Sequence, residues 1–422
     1  MNKLFSKFSE LIEKVVPVLN AISSKPFVKA MQTGMTAPMV ATVIGSIFIV
    51  MRTPPASPDS TNAIIVAWRV WADANVTWLN LGQQLTINAI GVYALVGFVI
   101  DYAISRKAKP INMLILAMIV FFALSTDIVE GRMTLDFWGA RGLFPAIIIG
   151  FAVVRFGSFL LEKGVKINLP STVPPNVAEP IQALFMNGIV IAIAFVIRIF
   201  LDSQNIMLPG LVNDIFSPLF IAGDTIYAVI LSMFLIRILW FFGLHGGNIA
   251  GVVMTPFLTA TMAANIEAFG RGEELPFIFT LVFNQTWGVI GMLAICIAVM
   301  ICCKSKQLKA VSKIGFVPAL FNIGEPITFG LPIVLNFKII VPYLIMFSMN
   351  GAVAYAATYY GFMNRTFINL PTTIPAIVRV FLQNMDWRSI VVYLLLMVAN
   401  VAVSIPFLKK YDNELLEKER AE

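Results

Sequence analysis

Glu325 and His245 are the two residues of this chain best suited to chemistry. Glu325 lies in the run Phe321-Asn322-Ile323-Gly324-Glu325-Pro326-Ile327-Thr328-Phe329-Gly330-Leu331-Pro332-Ile333-Val334-Leu335-Asn336, which sets a carboxylate, two Asn, a Thr and two Gly-x-Pro breaks among apolar residues. His245 is the single histidine, in Gly243-Leu244-His245-Gly246-Gly247-Asn248. An imidazole and a carboxylate can together hold a hydroxyl group or relay its proton near neutral pH. Each has a competing reading. Glu325 could be a structural acid neutralised by a nearby Lys or Arg, and His245 a satisfied core residue. Glycines on both sides of His245 remove the bulky neighbours that would shield it. Pro326 suits the first position of a short helix, whose first amides would turn their positive end towards Glu325.

Around these two gather the remaining candidates for ligand contact: Asn322, Gly324 and Thr328 beside the glutamate, and Gly246 and Asn248 beside the histidine. Asn284, Gln285, Thr286 and Trp287 form a further polar run. Amides and hydroxyls suit a polyol, and an aromatic face such as Trp287 can lie against a sugar ring. Interhelical hydrogen bonding is the competing reading of the amides and hydroxyls. There is no phosphate-binding glycine loop, no metal-ligand cluster and no nucleophile triad, so neither a cofactor nor a metal is expected. Cys296, Cys302 and Cys303 lack metal-ligand spacing and read as inert buried thiols.

The elements that must position these residues follow from composition. Of 422 residues, 59% are hydrophobic and 13% charged, with 34 Phe and 20 Met; soluble domains carry roughly 25% charged residues. The apolar runs are about 20 residues long, the length of a spanning helix rather than of a barrel strand. The chain reads as an all-α polytopic membrane protein with about ten transmembrane helices. The net charge of +7 reflects basic cytoplasmic loops, not affinity for nucleic acid.

Crossings are expected near 28–51, 84–104, 111–125, 142–162, 180–201, 224–242, 248–265, 276–303, 338–360 and 388–408. Segments 316–336 and 362–387, broken by Pro, are expected to dip in and return. Arg106, Lys107, Lys109, Lys163, Lys166 and the cluster Lys304, Lys306, Lys309, Lys313 belong on the cytoplasmic side, in solvated loops. Both termini are then cytoplasmic. Residues 1–27 read as an amphipathic helix on the membrane surface, with no cleavable signal peptide. Residues 28–175 form an N-terminal transmembrane region and 176–408 a C-terminal one. A charged tail covers 409–422, and the polar, Pro-rich stretch 163–179 links the halves.

Four motifs in order, Val173-Pro174-Pro175-Asn176-Val177, Gly243-Leu244-His245-Gly246, the Phe321–Asn336 run and Pro406-Phe407-Leu408-Lys409, resemble the membrane-embedded IIC component of bacterial sugar phosphotransferase systems. The lactose/cellobiose/diacetylchitobiose branch is the nearest in pattern. The resemblance implies an elevator-type homodimer in the bacterial cytoplasmic membrane, with re-entrant hairpins, a dimerisation region over 28–175 and the transport domain within 176–408. It implies a IIC permease that carries a β-linked disaccharide for phosphorylation at its 6-hydroxyl by a separate IIB phosphocarrier. Glu325 and His245 would hold that hydroxyl. The phosphoryl-donor domain would lie outside this chain, since none of its cysteines has the setting of the family's phosphocysteine. The other reading of the residues is a proton-coupled or facilitative transporter, or a sensor, that releases its sugar unmodified. Three departures bear on the pocket wall: Glu179 where a basic residue is usual, Asn284–Trp287 in place of a small-residue run, and no Trp near Pro371-Thr372-Thr373-Ile374-Pro375.

Overall fold

The fold is that of a computed structural model, which describes residues 24–53, 61–165, 174–331 and 336–421, with the single positions 17, 21, 167, 169 and 333. The surface helix expected over residues 1–27 falls almost entirely outside the described residues. Contacts divide the chain into two compact units, one running to Pro218 and the other from Leu219.

The first unit holds α1 (Pro26–Thr36), α2 (Met39–Arg52), α3 (Ala63–Ala74), α4 (Val76–Thr86), α5 (Ile90–Ser105), α6 (Pro110–Ser125), α7 (Leu143–Glu162), α8 (Pro175–Ser203) and most of α9 (Leu208–Gly223). A proline opens α1, α6 and α8. There its fixed φ favours the helix and its missing N–H is not needed. Helix α5 is the hub, packed by α1, α6 and α7. Its Phe98 and Tyr102 meet Phe27 and Phe151, with Phe27 5.8 Å from Phe98 and 5.1 Å from Phe151. On α8, Phe195, Val196, Ile199 and Phe200 are exposed, an apolar face suited to lipid rather than water. Its Arg198 turns to the chain end of α6, donating to Thr126 O at 2.8 Å and pairing with Asp127 at 3.2 Å and Asp202 at 2.7 Å.

The second unit contains α10 (Ile226–Phe241), α11 (Gly246–Arg271), α12 (Leu281–Trp287), α13 (Ile290–Cys302), α14 (Lys306–Leu320), α15 (Glu325–Gly330), α16 (Phe337–Tyr359), α17 (Ala376–Leu382) and α18 (Arg388–Ala421). Helix α10 packs along α16 and α13 along α18. Asn400 donates to Asn350 at 2.9 Å between α18 and α16, both side chains buried. Among the described residues, long irregular stretches precede α12 and α17. Such backbone is stable at membrane depth only when its polar groups find protein partners. They do here. Asn265, fully buried on α11, accepts from Phe277 N–H at 2.9 Å and donates to Phe277 O at 2.7 Å and Thr366 O at 2.8 Å. Asp224 accepts from the amides of Ile278 and Phe279. The hydroxyls of Thr280 and Thr366 lie 2.6 Å apart.

All ten expected crossings overlap helix, that over 276–303 only in part. Among the described residues, eight helices are long and apolar enough to span a membrane, or up to nine if the bent pair Leu208–Gly223 and Ile226–Phe241 counts as one; Pro110–Ser125 is a shorter apolar helix. Three expectations are corrected. The crossing expected from Pro276 starts as helix only at Leu281, because Asn265 and Asp224 hold residues 277–279 out of helical bonding. The stretch 163–179 is not link throughout, since α8 begins at Pro175. Most of the cluster Lys304–Lys313, expected as loop, is the first two turns of α14, with all four lysines exposed.

Candidate functional site

His245 and Glu325 reach the same place because two helices end in the same way. Helix α10 closes with the amides of Gly243 and Leu244 bonded back to Trp240 O and Leu239 O, both at 3.0 Å. This cap needs a left-handed residue, and Gly243 supplies it with φ +76°. The chain then re-enters helix at once, with His245 as the cap of α11. Its Nδ1 accepts the amide N–H of Asn248 at 3.1 Å. Helix α14 closes likewise, with Asn322 N–H on Ala319 O at 3.1 Å and Ile323 N–H on Pro318 O at 3.0 Å. Here the left-handed residue is Asn322, at φ +64°, a side chain that tolerates this conformation. Glu325 follows as the first residue of α15.

The two side chains meet with His245 Nε2 3.9 Å from Glu325 Oε1, each about half exposed. Because Nδ1 is an acceptor, the neutral imidazole carries its proton on Nε2. The gap exceeds a direct hydrogen bond. A ligand hydroxyl oxygen about 2.8 Å from each would fit, accepting from Nε2–H and donating to the carboxylate. The amides that were to face Glu325 are otherwise engaged: Ile327 and Thr328 N–H both bond Gly324 O, at 3.1 and 2.9 Å.

These residues line a cavity of about 200 Å³ in the second unit. Asn322, Gly324 and Thr328 are on its wall, and Asn284 and Gln285 join them. The buried Oδ1 of Asn284 has no protein partner, leaving an acceptor for a ligand. Both donor bonds of Asn322 are spent on the stretch before α17, to Thr372 O at 2.7 Å and Ile374 O at 2.8 Å. Gln285 Oε1 is fixed by Arg379 Nη2 at 2.9 Å.

Gly246, Asn248 and Trp287 are not on the wall. Gly246 is buried with its Cα against Ile236 O, where any Cβ would collide. Asn248 serves through its backbone amide. Trp287 is 0% exposed and offers no face to a ligand. The aromatic face comes instead from Trp240, whose ring lies 4.5 Å from the imidazole and 5.8 Å from Phe329. Arg237, one helical turn before it, also lines the cavity. Its guanidinium lies 3.8 Å over the Phe347 ring and donates to Tyr343 Oη at 3.2 Å and to Gly288 O at the break between α12 and α13. Arg237 carried a readable signal, as an ionisable residue inside an apolar span. Trp240 carried none beyond its position at the helix end.

The family model described as phosphotransferase system, EIIC, matches residues 32–346. The chain belongs to the phosphotransferase-system EIIC family. Among relatives of this EIIC chain, the oligo-beta-mannoside-specific EIIC component of Bacillus subtilis (strain 168) is 28% identical, over 99% of this chain and 96% of the relative. The cellobiose-specific EIIC component of Geobacillus stearothermophilus is 27% identical, over 99% and 97%. The lactose-specific EIICB component of Lacticaseibacillus casei is 26% identical, over all of this chain and 73% of its own length. In three dimensions the chain is similar to the transporter ChbC, the IIC component from the N,N'-diacetylchitobiose-specific phosphotransferase system. The TM-score is 0.85 at 25% identity, over 98% of this chain and 99% of the other. The EIIC chain is thus a multi-pass membrane protein and part of a sugar phosphotransferase system. Of the three stretches expected to depart from the family pattern, Asn284 and Gln285 are in the pocket wall, and the Thr372 stretch is tied to it through Asn322; the side chain of Glu179 lies outside the described residues.

Proposed function

We propose that this EIIC chain is a permease for a β-linked disaccharide, such as cellobiose or diacetylchitobiose, that becomes phosphorylated at its 6-hydroxyl by a separate IIB protein. The observation that carries the reading is the 3.9 Å gap between His245 Nε2 and Glu325 Oε1 at the mouths of two broken helices. Family membership and the β-glycoside names of its relatives support it. In this reading the 6-hydroxyl sits in the gap. His245 orients its oxygen, and Glu325 receives its proton as that oxygen attacks phosphorus and the bond from phosphorus to the IIB cysteine breaks. Trp240 lies against a sugar ring, while Asn284, Gln285 and Thr328 address the remaining hydroxyls.

The reading includes a homodimer in the bacterial cytoplasmic membrane, both termini cytoplasmic, with the dimer built by residues 28–175 and the sugar moved by an elevator motion of a domain within 176–408. Every proposed contact lies in the second compact unit, between Arg237 and Thr328. The test is uptake into proteoliposomes. Phosphorylated IIB inside should yield sugar phosphate in the lumen from wild-type protein, and none from Glu325→Gln. Uptake of unmodified sugar driven by a pH gradient, with no IIB present, would replace this reading with a proton-coupled transporter.

A further inference from the structure

We propose that Asp412 and Glu419, on the last turns of α18, form a latch that fixes the arm carrying Glu325, and so act as positioning residues for the sugar site. The two acids are seven residues apart, two helical turns, and therefore share a face of α18. That face meets the start of α14. Asp412, buried, accepts the amides of Lys304 and Ser305, both at 2.8 Å. Glu419 Oε1 accepts the Ser305 hydroxyl at 2.7 Å and the amides of Lys306 at 3.0 Å and Gln307 at 3.4 Å. Ser305 Oγ in turn accepts Leu308 N–H at 3.5 Å.

A helix start leaves its first amides without partners. Here the five consecutive amides from 304 to 308 all have side-chain acceptors, and four of the five are served from the tail. The basic cluster thus acquires a structural meaning that its charge conceals. What the tail holds is the backbone, and the lysine side chains stay exposed.

The hold reaches Glu325 because α14 and α15 behave as one piece. Ser312 Oγ donates to Cys296 O on α13 at 2.8 Å. A Cβ on Gly315 would stand 2.6 Å from Ile327 Cγ1, and one on Gly330 2.5 Å from Val311 Cγ1, so the two helices touch through glycine on both sides. The turn between them is closed by the Asn322 cap. Freeing the start of α14 therefore loosens the platform on which Glu325 stands. That this platform holds a sugar rests on the proposed function; the mechanical coupling does not.

The test is hydrogen–deuterium exchange on the full-length protein, comparing wild type, Asp412→Asn/Glu419→Gln, and Lys304→Gln/Lys306→Gln. Removing the carboxylates should speed exchange about tenfold or more both at 304–308 and at 321–328, with α10 and α16 unchanged as internal controls. The lysine variant should exchange like wild type. Affinity for whichever disaccharide the wild type binds should fall about fivefold or more in the carboxylate variant, since a loosened platform holds Glu325 less often in place. If the double variant fails to fold, Glu419→Gln alone carries the same comparison. Acceleration confined to 304–308 would overturn the proposal, as would a lysine variant that exchanges like the carboxylate one. Exchange is read without sugar, so a chain that binds no disaccharide leaves the coupling result standing.

Discussion

Replacing Asn265 by Ala removes three hydrogen bonds in one step and strands three backbone groups: Phe277 N–H, Phe277 O and Thr366 O. The side chain is fully buried, so no water takes its place. Each stranded group costs about 1–3 kcal/mol. Because the affected backbone is irregular and can relax, the lower half of that range applies, and the sum is roughly 4 kcal/mol. For a domain of some two hundred residues this is a fall of about 8–16 °C in melting temperature. A thiol-reactive dye can follow the unfolding, since Cys296 and Cys303 are buried and Cys302, partly exposed, can be replaced by Ser to lower the background. Gln204→Ala, at an exposed helix end, is the control and should shift the midpoint by less than about 2 °C. A fall below about 3 °C for Asn265→Ala would refute the claim that this residue pins the stretches leading to α12 and α17.

Three further outcomes follow from the site. Trp240→Ala and Trp287→Ala should both lower stability, the fully buried Trp287 by about 3–5 kcal/mol, but only Trp240→Ala should weaken disaccharide binding in the folded fraction, by about tenfold; binding curves corrected for the folded fraction distinguish them. Asn322→Gly keeps the left-handed cap but drops the bonds to Thr372 O and Ile374 O, so affinity should fall with the melting temperature nearly unchanged, and Asn322→Leu should lower both. For Glu419, the Ser305 hydroxyl and the amides of Lys306 and Gln307 hold the carboxyl below its usual 4.5. A depressed value means its contribution is complete above 4.5 and is lost as pH falls through the lower folded value. Protection of amides 306 and 307, corrected for intrinsic exchange, should therefore be flat from roughly pH 5 to 8 and decline only in stronger acid.

The crossings were legible because twenty apolar residues at a stretch have few fates other than a spanning helix. Glu325, His245 and Asn322 were legible because each interrupts that pattern within two residues of glycine or proline, and the interruptions are where helices end and side chains face a cavity. Trp287 misled because composition cannot tell an aromatic residue in a wall from one behind it. Burial decided that, and Trp240, at the end of its helix, took the place on the cavity wall. Arg237 was hidden by being read as part of an apolar span, although a charge there always calls for a partner. The carboxylates on α18 were beyond reach of sequence reasoning, since Asp412 and Glu419 join amides more than a hundred positions away. Their acceptors say nothing in sequence about which helix start they will cap.

The central claim is that a sugar 6-hydroxyl occupies the gap between His245 and Glu325. Equilibrium binding of a disaccharide and of its 6-deoxy analogue, to wild-type protein and to Glu325→Gln, tests it most directly. A hydroxyl bonded to a half-exposed carboxylate is worth about 1.5–2 kcal/mol, so wild-type protein should prefer the parent sugar by about tenfold or more, and Glu325→Gln should reduce that preference to about twofold or less. Equal preference in both proteins would place the 6-hydroxyl elsewhere and contradict the account.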